Sequence, residues 1–459
     1  MLIRKPQNLT EWLLLLGTLS FIPALFFYLV GEEGIYTISS IEMAHNQTWL
    51  KQTLYGADNG RPPLLNWLIV PIAQLIGWAH VVIAARLVSV LATLGMVATV
   101  YGLSRRLTQD KSFALFAALT CLCLADLLLY RGWLTYTDPV FAFFTFAAIA
   151  CLWIAALEKR LGYLLLSILL ISAALLTKAF TAYLFFGTAL FVLLWQREAR
   201  RFLLSPAALA IFALTLIVPY LWFTQVTQPG HSAGMASEML RKLSAQGFLP
   251  YLQRLVTYPL QTALELSPPV LLALYLKLRR RVRQEAAPCF TTGLWITFLC
   301  FLPYWLAPQG GIRYLLPIYP LIALVCADLI WRSGESARTL ALRWFAAVIA
   351  VKFVFALILF PWYQVHYRGK NYVAAAQTIQ ERTKGHPLYV ADDRAPALSV
   401  VSAMNARRFP QAPLTSPPPQ FDSGFVLAKG ENPAWGSVAE IYTLAKDQLY
   451  LLCKGKACQ

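Results

Sequence analysis

Acidic side chains lie at the borders of long apolar segments in this chain, where charge is costly unless it has a partner or a function. Glu32 and Glu33 follow the first apolar run, in the stretch Gly-Glu-Glu-Gly-Ile-Tyr, and Asp138 lies in Thr-Asp-Pro at the start of another run. A carboxylate held at a membrane surface can act as a general base toward an acceptor hydroxyl or amine. We therefore treat Glu32, Asp138 and Glu33 as candidate catalytic residues.

Each carboxylate also has a purely structural explanation. Glu32 and Glu33 precede apolar positions at helical spacing, and negative charge is favourable at the start of a helix. Asp138 falls at or next to a helix N-cap, because Pro139 suits the first helical turn. Both explanations stay open, and the occurrence of acidic groups on one side of the membrane favours the catalytic one.

Three cations are placed in a similar way. Arg61 precedes Pro62-Pro63, Lys178 interrupts a long apolar run, and Arg313 follows Gly310-Gly311-Ile312. A cation there either extends its charged end to the interface or pairs with an anion such as a lipid phosphate. Several cations at one face can stabilise a departing phosphate or pyrophosphate. The sequence therefore predicts substrate binding by Arg61, Lys178 and Arg313.

The elements that position these residues are transmembrane helices. Of 459 residues, 58% are hydrophobic and 13% are charged, a composition typical of a polytopic membrane protein. Backbone polar groups in lipid must be satisfied within the spanning segment, which predicts an all-α membrane domain. The eleven predicted spans are 12–30, 81–103, 113–130, 139–157, 161–176, 179–195, 203–223, 256–276, 290–307, 314–331 and 341–360.

Lys and Arg residues set the predicted orientation. Arg4 and Lys5 precede the first span, and basic clusters within 105–111, 279–283 and 332–338 fall on the same side, which is the cytoplasmic side. Segment 62–79 is apolar, but counting it as a span would invert every later loop. We predict that it is an interfacial helix. The net charge of +17 then reflects topology and not nucleic-acid binding.

This orientation places every candidate residue so far on the non-cytoplasmic face, together with a polar C-terminal segment. We predict two domains, a transmembrane catalytic domain at 1–361 and a soluble extracytoplasmic domain at 362–459. The latter is predicted to be a small α/β domain with helices at 373–382 and 396–404 and strands at 387–391 and 424–428. Cys453 and Cys458 are predicted to form a disulfide, and the other six cysteines to pack in or beside spans.

Several site types are not indicated. The chain has no GxGxxG after a strand and no Walker loop, and its five histidines lack metal-ligand spacing. We therefore predict no cofactor and assign no metal ligands. An energy-rich substrate would have to be carried by a membrane lipid.

The order of motifs resembles the GT-C type of polyprenyl-phosphate-dependent glycosyltransferases, in particular the lipid A aminoarabinose transferases and the protein O-mannosyltransferases. The matching motifs, in chain order, are Glu32-Glu33-x-x-Tyr36, Glu42-Met43, Arg61-Pro62-Pro63, Ala85-Arg86-Leu87, Asp138-Pro139, Thr177-Lys178-Ala179 and Tyr-Leu-Leu-Pro at 314–317. Glu32 occupies the place of the family's presumed catalytic Asp. The chain departs from the family at Ile35, where Arg is usual, at Gly60, where Glu is usual, and at Arg61, where Lys is usual.

The resemblance implies an inverting hexosyl- or pentosyltransferase in a bacterial inner membrane with a periplasmic C-terminal domain. Its donor would be a sugar on undecaprenyl phosphate, and its acceptor lipid A or another lipopolysaccharide component, with a protein acceptor second. It also implies that Tyr36, Arg86 and Tyr314 help to bind substrate. Membrane lipids are the other expected partners.

Other classes stay open. A lipid-linked-substrate transporter or flippase would need polar groups near the membrane midplane and often shows inverted repeats, neither of which the sequence displays. An O-antigen ligase or polymerase would normally have a large outer loop. A non-catalytic scaffold would explain the departures at Glu32 and Gly60.

The predicted topology can be tested with alkaline phosphatase fusions, because the enzyme is active only outside the cytoplasm. A fusion after Gln459 is expected to be active and one after Gln109 inactive. An active fusion at Gln109 would mean that segment 62–79 spans the membrane and that the map of the outer face is wrong.

Overall fold

The computed structural model describes residues 8–178, 180–226, 247–279 and 287–459. Arg4, Lys5, Ala179 and positions 280–283 of one basic cluster lie outside these ranges. The described α-helices, numbered in chain order, are α1 Leu9–Leu19, α2 Glu33–Asn46, α3 Leu64–Ile76, α4 Val81–Thr108, α5 Lys111–Leu122, α6 Thr137–Glu158, α7 Leu161–Thr177, α8 Ala182–Leu194, α9 Arg197–Leu203, α10 Pro206–Ala213, α11 Ile217–Leu221, α12 Phe248–Glu265, α13 Pro269–Leu278, α14 Pro288–Leu306, α15 Tyr319–Arg332, α16 Glu335–Val354, α17 Phe360–His366, α18 Lys370–Arg382 and α19 Ala395–Arg408. The strands are β1 Thr53–Leu54, β2 Ala57–Asp58, β3 Leu388–Val390, β4 Gly424–Ala428, β5 Ser437–Leu444 and β6 Asp447–Lys454.

The chain is a mostly helical membrane protein. Among the described residues, seven helical segments are long and apolar enough to cross a bilayer: Leu9–Phe26, Trp78–Thr108, Thr137–Glu158, Pro206–Thr224, Pro288–Leu306, Ile312–Arg332 and Glu335–His366. All seven coincide with predicted spans. Helices α3, α5, α7, α8 and α13 are apolar but shorter. The total of eleven spans stays a prediction.

The predicted span 256–276 is wrong as one continuous helix. Its residues belong to α12 and α13, which are separated at Leu266, Ser267 and Pro268. The residue before a proline is disfavoured in the α conformation, and the Ser267-Pro268-Pro269 sequence interrupts the helix for that reason. Helix α12 is amphipathic, with Leu252, Val256, Leu260 and Leu264 exposed along one side. Such a pattern is typical of a helix lying in the membrane interface.

The predicted interfacial segment 62–79 contains α3, which has 13 residues. At 1.5 Å per residue it is about 20 Å long, shorter than the roughly 30 Å of a hydrocarbon core. Its buried side includes Asn66, whose amide group donates to the Tyr36 carbonyl at 3.3 Å and to Ser40 Oγ at 2.9 Å. These hydrogen bonds fix α3 against α2.

Two compact units divide the described chain. The first contains residues within Met1–Phe21, Val90–Trp133 and Thr137–Phe353. In it, α6 packs along α7, and α15 packs against α5, α13 and α14. The second contains Ile22–Ser89, Leu134–Tyr136 and Val354–Gln459. The predicted domain boundary at residues 361 and 362 falls inside this second unit.

The second unit has its own core. A four-stranded sheet in the order β3-β4-β6-β5 is parallel between β3 and β4 and antiparallel elsewhere. Helix α19 packs against α18 and also directly against α2. Ile35 and Ile38 of α2 therefore share a buried cluster with Leu398 and Val401 of α19. Helix α2, the β1–β2 hairpin and the C-terminal α/β region therefore form one folded body.

Five predicted features of the C-terminal region are confirmed. The helices at 373–382 and 396–404 lie within α18 and α19, and the strands at 387–391 and 424–428 contain β3 and β4. The Cys453–Cys458 disulfide is also present. The hairpin of β5 and β6 was not predicted.

Gly34 permits the close approach of α2 and α19. A Cβ atom on Gly34 would lie 2.7 Å from the Leu398 carbonyl oxygen and 2.8 Å from its carbonyl carbon. Backbone atoms cannot move aside as a flexible side chain would. The helices therefore require glycine at this position.

We expect Gly34→Ala to destabilise the protein, although Ala is the better helix former by about 1 kcal/mol. Overpacking of this kind costs about 1–3 kcal/mol. Thermal unfolding of detergent-solubilised protein measures the effect. Gly187→Ala in α8 is the matched control, because a Cβ atom added to Gly187 would have no described neighbour within 4 Å. Equal melting temperatures for the two variants would contradict the close contact.

Candidate functional site

Arg86 and Glu33 form a fully buried ion pair in the second unit. Arg86 Nε donates to Glu33 Oε1 at 3.0 Å and Nη2 donates to Oε2 at 2.6 Å, and both side chains are 0% exposed. The guanidinium also donates to the Ala24 carbonyl at 3.1 Å, to the Tyr28 carbonyl at 2.9 Å and to the carbonyl of Phe27. Arg86 therefore fixes the end of the first apolar segment as well as the acidic residue that follows it.

All hydrogen-bond acceptor positions of the Glu33 carboxylate are occupied. Besides Arg86, it accepts from the Val30 backbone N–H at 2.7 Å and the Thr135 backbone N–H at 2.8 Å. A carboxylate has about four acceptor positions, and four donors occupy them here. A base must be free to accept a substrate proton, so this arrangement favours a positioning role for Glu33.

Glu32 is different, because its side chain is exposed. It is the N-cap residue of α2, and its backbone N–H donates to the Tyr136 hydroxyl at 3.3 Å. Gly31 precedes it with φ of +58°, and a Cβ there would lie 2.7 Å from the same hydroxyl oxygen. The glycine and Tyr136 together direct the chain so that Glu33 is buried and Glu32 is accessible.

Tyr36 and Arg61 meet one turn further along α2. Arg61 Nη1 donates to the Tyr36 hydroxyl at 3.0 Å, and its guanidinium carbon lies 5.5 Å from the centre of the Tyr36 ring. The Tyr136 ring packs edge-on against Tyr36 at 6.4 Å between centroids. The exposed Glu32 is thus the N-cap residue of α2, and the half-buried Arg61 is hydrogen-bonded to Tyr36 in the first turn of the same helix.

Glu42, of the Glu42-Met43 motif, is buried and is hydrogen-bonded to the turn between β1 and β2. Its carboxylate accepts from the backbone N–H groups of Tyr55 at 2.7 Å and Gly56 at 3.2 Å. Burial raises the pKa of Glu42 above its ordinary value. This residue joins α2 to the β1–β2 hairpin and does not face solvent.

The remaining predicted residues lie in the first unit. Lys178 Nζ donates to Asp138 Oδ1, forming an ion pair in which the Asp138 side chain is mostly buried. Asp138 occupies the first turn of α6, and Lys178 ends α7. Lys178 Nζ also lies 4.9 Å from the Tyr314 ring centre, and the Arg313 guanidinium carbon lies 5.1 Å from it. Asp138, Lys178, Arg313 and Tyr314 therefore form one cluster.

Two features were not predicted from the sequence. The first is Tyr136, whose hydroxyl accepts from the Glu32 backbone N–H and whose ring packs against Tyr36. The second is a hydrogen-bond network around Asp126. Arg131 donates to Asp126 Oδ2 at 2.7 Å, and the Tyr319 hydroxyl donates to the same oxygen at 2.8 Å. Their positions in sequence give no signal of this network, because Tyr319 is almost two hundred residues from Asp126. Among the described residues, no group of three His, Cys, Asp or Glu side chains could hold a metal ion.

Comparisons with known proteins agree with this architecture. Residues 60–223 match the family model described as dolichyl-phosphate-mannose-protein mannosyltransferase. The structure is similar to ArnT from Cupriavidus metallidurans bound to undecaprenyl phosphate, with 15% identity, a TM-score of 0.66 and 98% coverage of both chains. The apo form of that protein gives 14% identity, a TM-score of 0.64 and the same coverage. No curated protein sequence matches the chain.

A more distant similarity is to the apo oligosaccharyltransferase of Archaeoglobus fulgidus, with 13% identity, a TM-score of 0.47, and coverage of 86% of this chain and 64% of that one. The fold is that of the GT-C membrane glycosyltransferases, and the resemblance predicted from the sequence motifs is confirmed.

The Arg86–Glu33 pair and the exposed Glu32 are expected to respond differently to substitution. Arg86→Met leaves Glu33 charged and buried without its cation, which typically costs about 3–5 kcal/mol. We expect a clear fall in melting temperature and in yield of folded protein. Glu32→Gln, one residue away and exposed, is the matched control and should melt like the unsubstituted protein. Wild-type stability of Arg86→Met would contradict the positioning role.

Proposed function

We propose that this protein is an inverting glycosyltransferase that moves a hexose or pentose from a polyprenyl phosphate carrier to an acceptor outside the cytoplasm. One observation carries the proposal. An exposed carboxylate, Glu32, and a cation, Arg61, are held on the first turns of α2, which a buried ion pair anchors to the end of a membrane-spanning segment. Such a site provides a base and an anion-binding group at a membrane surface.

In the proposed reaction, Glu32 accepts the proton of an acceptor hydroxyl or amine. The acceptor oxygen or nitrogen then forms a bond to the anomeric carbon as the bond from that carbon to the phosphate oxygen breaks. The electron pair of that bond leaves with polyprenyl phosphate, and attack from the opposite face inverts the anomeric centre. General-base catalysis of this kind contributes roughly 10²–10⁴-fold to a rate.

The leaving phosphate needs cations, because its negative charge increases as the bond breaks. We assign Arg61, Lys178 and Arg313 to this role, with Tyr36 and Tyr314 presenting the cations through ring contacts. Asp138, which the sequence suggested as a base, would orient Lys178 through their ion pair. Glu33 and Arg86 would position Glu32 and would not touch substrate.

We further propose undecaprenyl phosphate as the carrier and lipid A or a related envelope glycolipid as the acceptor, with a protein hydroxyl as the second choice. The similar ArnT structure with bound undecaprenyl phosphate supports the carrier. The C-terminal α/β region would then be periplasmic, at the bacterial inner membrane. The polar groups of the site lie beside ends of membrane-spanning segments, which favours a transferase over a transporter with a site at the midplane.

Glu32→Gln tests the assigned base. It preserves the size of the side chain and removes its basicity, so transfer from a synthetic polyprenyl-phosphate sugar should fall by roughly a hundredfold or more at equal protein level. The kcat and KM for donor and acceptor are measured with purified protein in nanodiscs. Full transfer activity in Glu32→Gln would contradict the assignment of the base.

Asp138→Asn is the companion variant. If Asp138 only stabilises the start of α6, this change is nearly silent, because Asn suits a helix start about as well as Asp. We expect instead a reduced kcat and a raised donor KM, since Lys178 loses its anionic partner. Unchanged kinetics would return Asp138 to a purely structural role.

A further inference from the structure

A groove in the second unit has no assigned role in the reaction. It has a volume of about 230 Å³ and lies where the segments containing Phe26 and Ile83 meet α18 and α19. Phe26 ends one candidate membrane span, and Ile83 lies near the start of another. Val373 of α18 and Ala403 of α19 line the other side. The groove is therefore lined on one side by the ends of two candidate membrane-spanning segments and on the other by the α/β region.

The walls of the groove are mostly apolar, whereas part of its edge is basic. Phe26 is 69% exposed although it is a large aromatic residue, which is expected for a side chain at the edge of a lipid-accessible groove. His80 and Arg407 also line the groove, and both are exposed. In the described parts of the chain, no carboxylate forms an ion pair with Arg407. The Arg407 guanidinium donates to the neutral side-chain amide oxygen of Gln377 at 3.0 and 3.2 Å, which leaves its positive charge unneutralised. An apolar groove with a cation at its edge complements an anion that carries an alkyl chain.

One end of the groove is fixed by aromatic packing. The Trp78 ring lies 4.6 Å from the Phe409 ring, which holds the end of α19 against the start of the α4 segment. At the linker before α18, Gly369 has φ of +73°, and a Cβ there would lie 2.7 Å from Tyr28 Cβ. The groove is thus bounded by tight contacts and is a built feature of the unit.

We propose that this groove binds an acyl chain of an anionic glycolipid acceptor, with the phosphate of that lipid near Arg407 and His80. The inference rests on the proposed function and names the substrate of the same site. The carbonyls of Phe27 and Tyr28 in the groove wall accept from Arg86, and the chain then continues to Glu32. The wall is therefore rigidly connected to the assigned base, which must contact the acceptor.

Filling the groove tests the proposal. Val373→Trp places a large side chain in it, and Ala374→Trp on the same helix is the matched control, because Ala374 is exposed and does not line the groove. For an acylated, phosphorylated diglucosamine acceptor, Val373→Trp should raise the KM by about tenfold or more, as expected when several methylene groups lose their buried contacts. The KM for the donor, and for the deacylated form of the same acceptor, should not change. Equal KM increases for both acceptors, or none, would overturn the proposal.

A second measurement does not depend on catalysis. The same diglucosamine lipid with a diazirine in one acyl chain is photo-crosslinked to the purified full-length protein, and the labelled peptides are mapped by mass spectrometry. Label is expected on peptides containing Val373 or Ala403, to be lost in Val373→Trp and to be reduced by Arg407→Glu only when the probe carries phosphate. Normal transfer without label in the groove would overturn this inference and leave the proposed function intact. Label in the groove of a protein that transfers no sugar from any polyprenyl phosphate would support lipid binding and overturn the proposed function.

Discussion

The site of the second unit depends on one buried ion pair. Arg86 and Glu33 satisfy each other, and their remaining hydrogen-bonding groups hold the backbone from Ala24 to Val30 and at Thr135. Burying two charges is costly, and the cost is offset here because the Glu33 acceptors are all used and Arg86 also binds backbone carbonyls. The result is a fixed turn at Gly31, from which Glu32 extends into solvent. The same turn orients α2. Arg61 is hydrogen-bonded to Tyr36 of this helix, and α19 of the α/β region packs against it.

Much of the fold could be predicted from composition and from the spacing of basic residues. Seven predicted spans coincide with long apolar helical segments, since hydrophobic length is a local property of the sequence. The break at Ser267-Pro268 was present in the sequence, but the high hydropathy on either side obscured it. The hairpin of β5 and β6 was missed because its turn, at Ala445-Lys446, lacks the glycine or asparagine typical of tight hairpins.

The site was predictable as a set of residues but not as a set of contacts. Motif order identified Glu32, Glu33 and Arg86 together, yet the sequence could not distinguish the buried carboxylate from the exposed one. That distinction depends on Thr135 and Val30, whose backbone groups reach Glu33 only in the folded chain. The packing of α19 on α2 could not be predicted from the sequence either, because it brings together residues more than three hundred positions apart. It makes the C-terminal region part of the body that carries Glu32.

The central claim is that the protein takes a sugar from a lipid phosphate. The most direct measurement is transfer by purified protein in nanodiscs, with radiolabelled sugar supplied either on undecaprenyl phosphate or on a nucleotide diphosphate. Our account predicts label on the extracted glycolipid acceptor and release of undecaprenyl phosphate with the lipid-linked donor, and no transfer from the nucleotide sugar. Transfer from the nucleotide sugar, or none from any polyprenyl-phosphate sugar, would contradict the account.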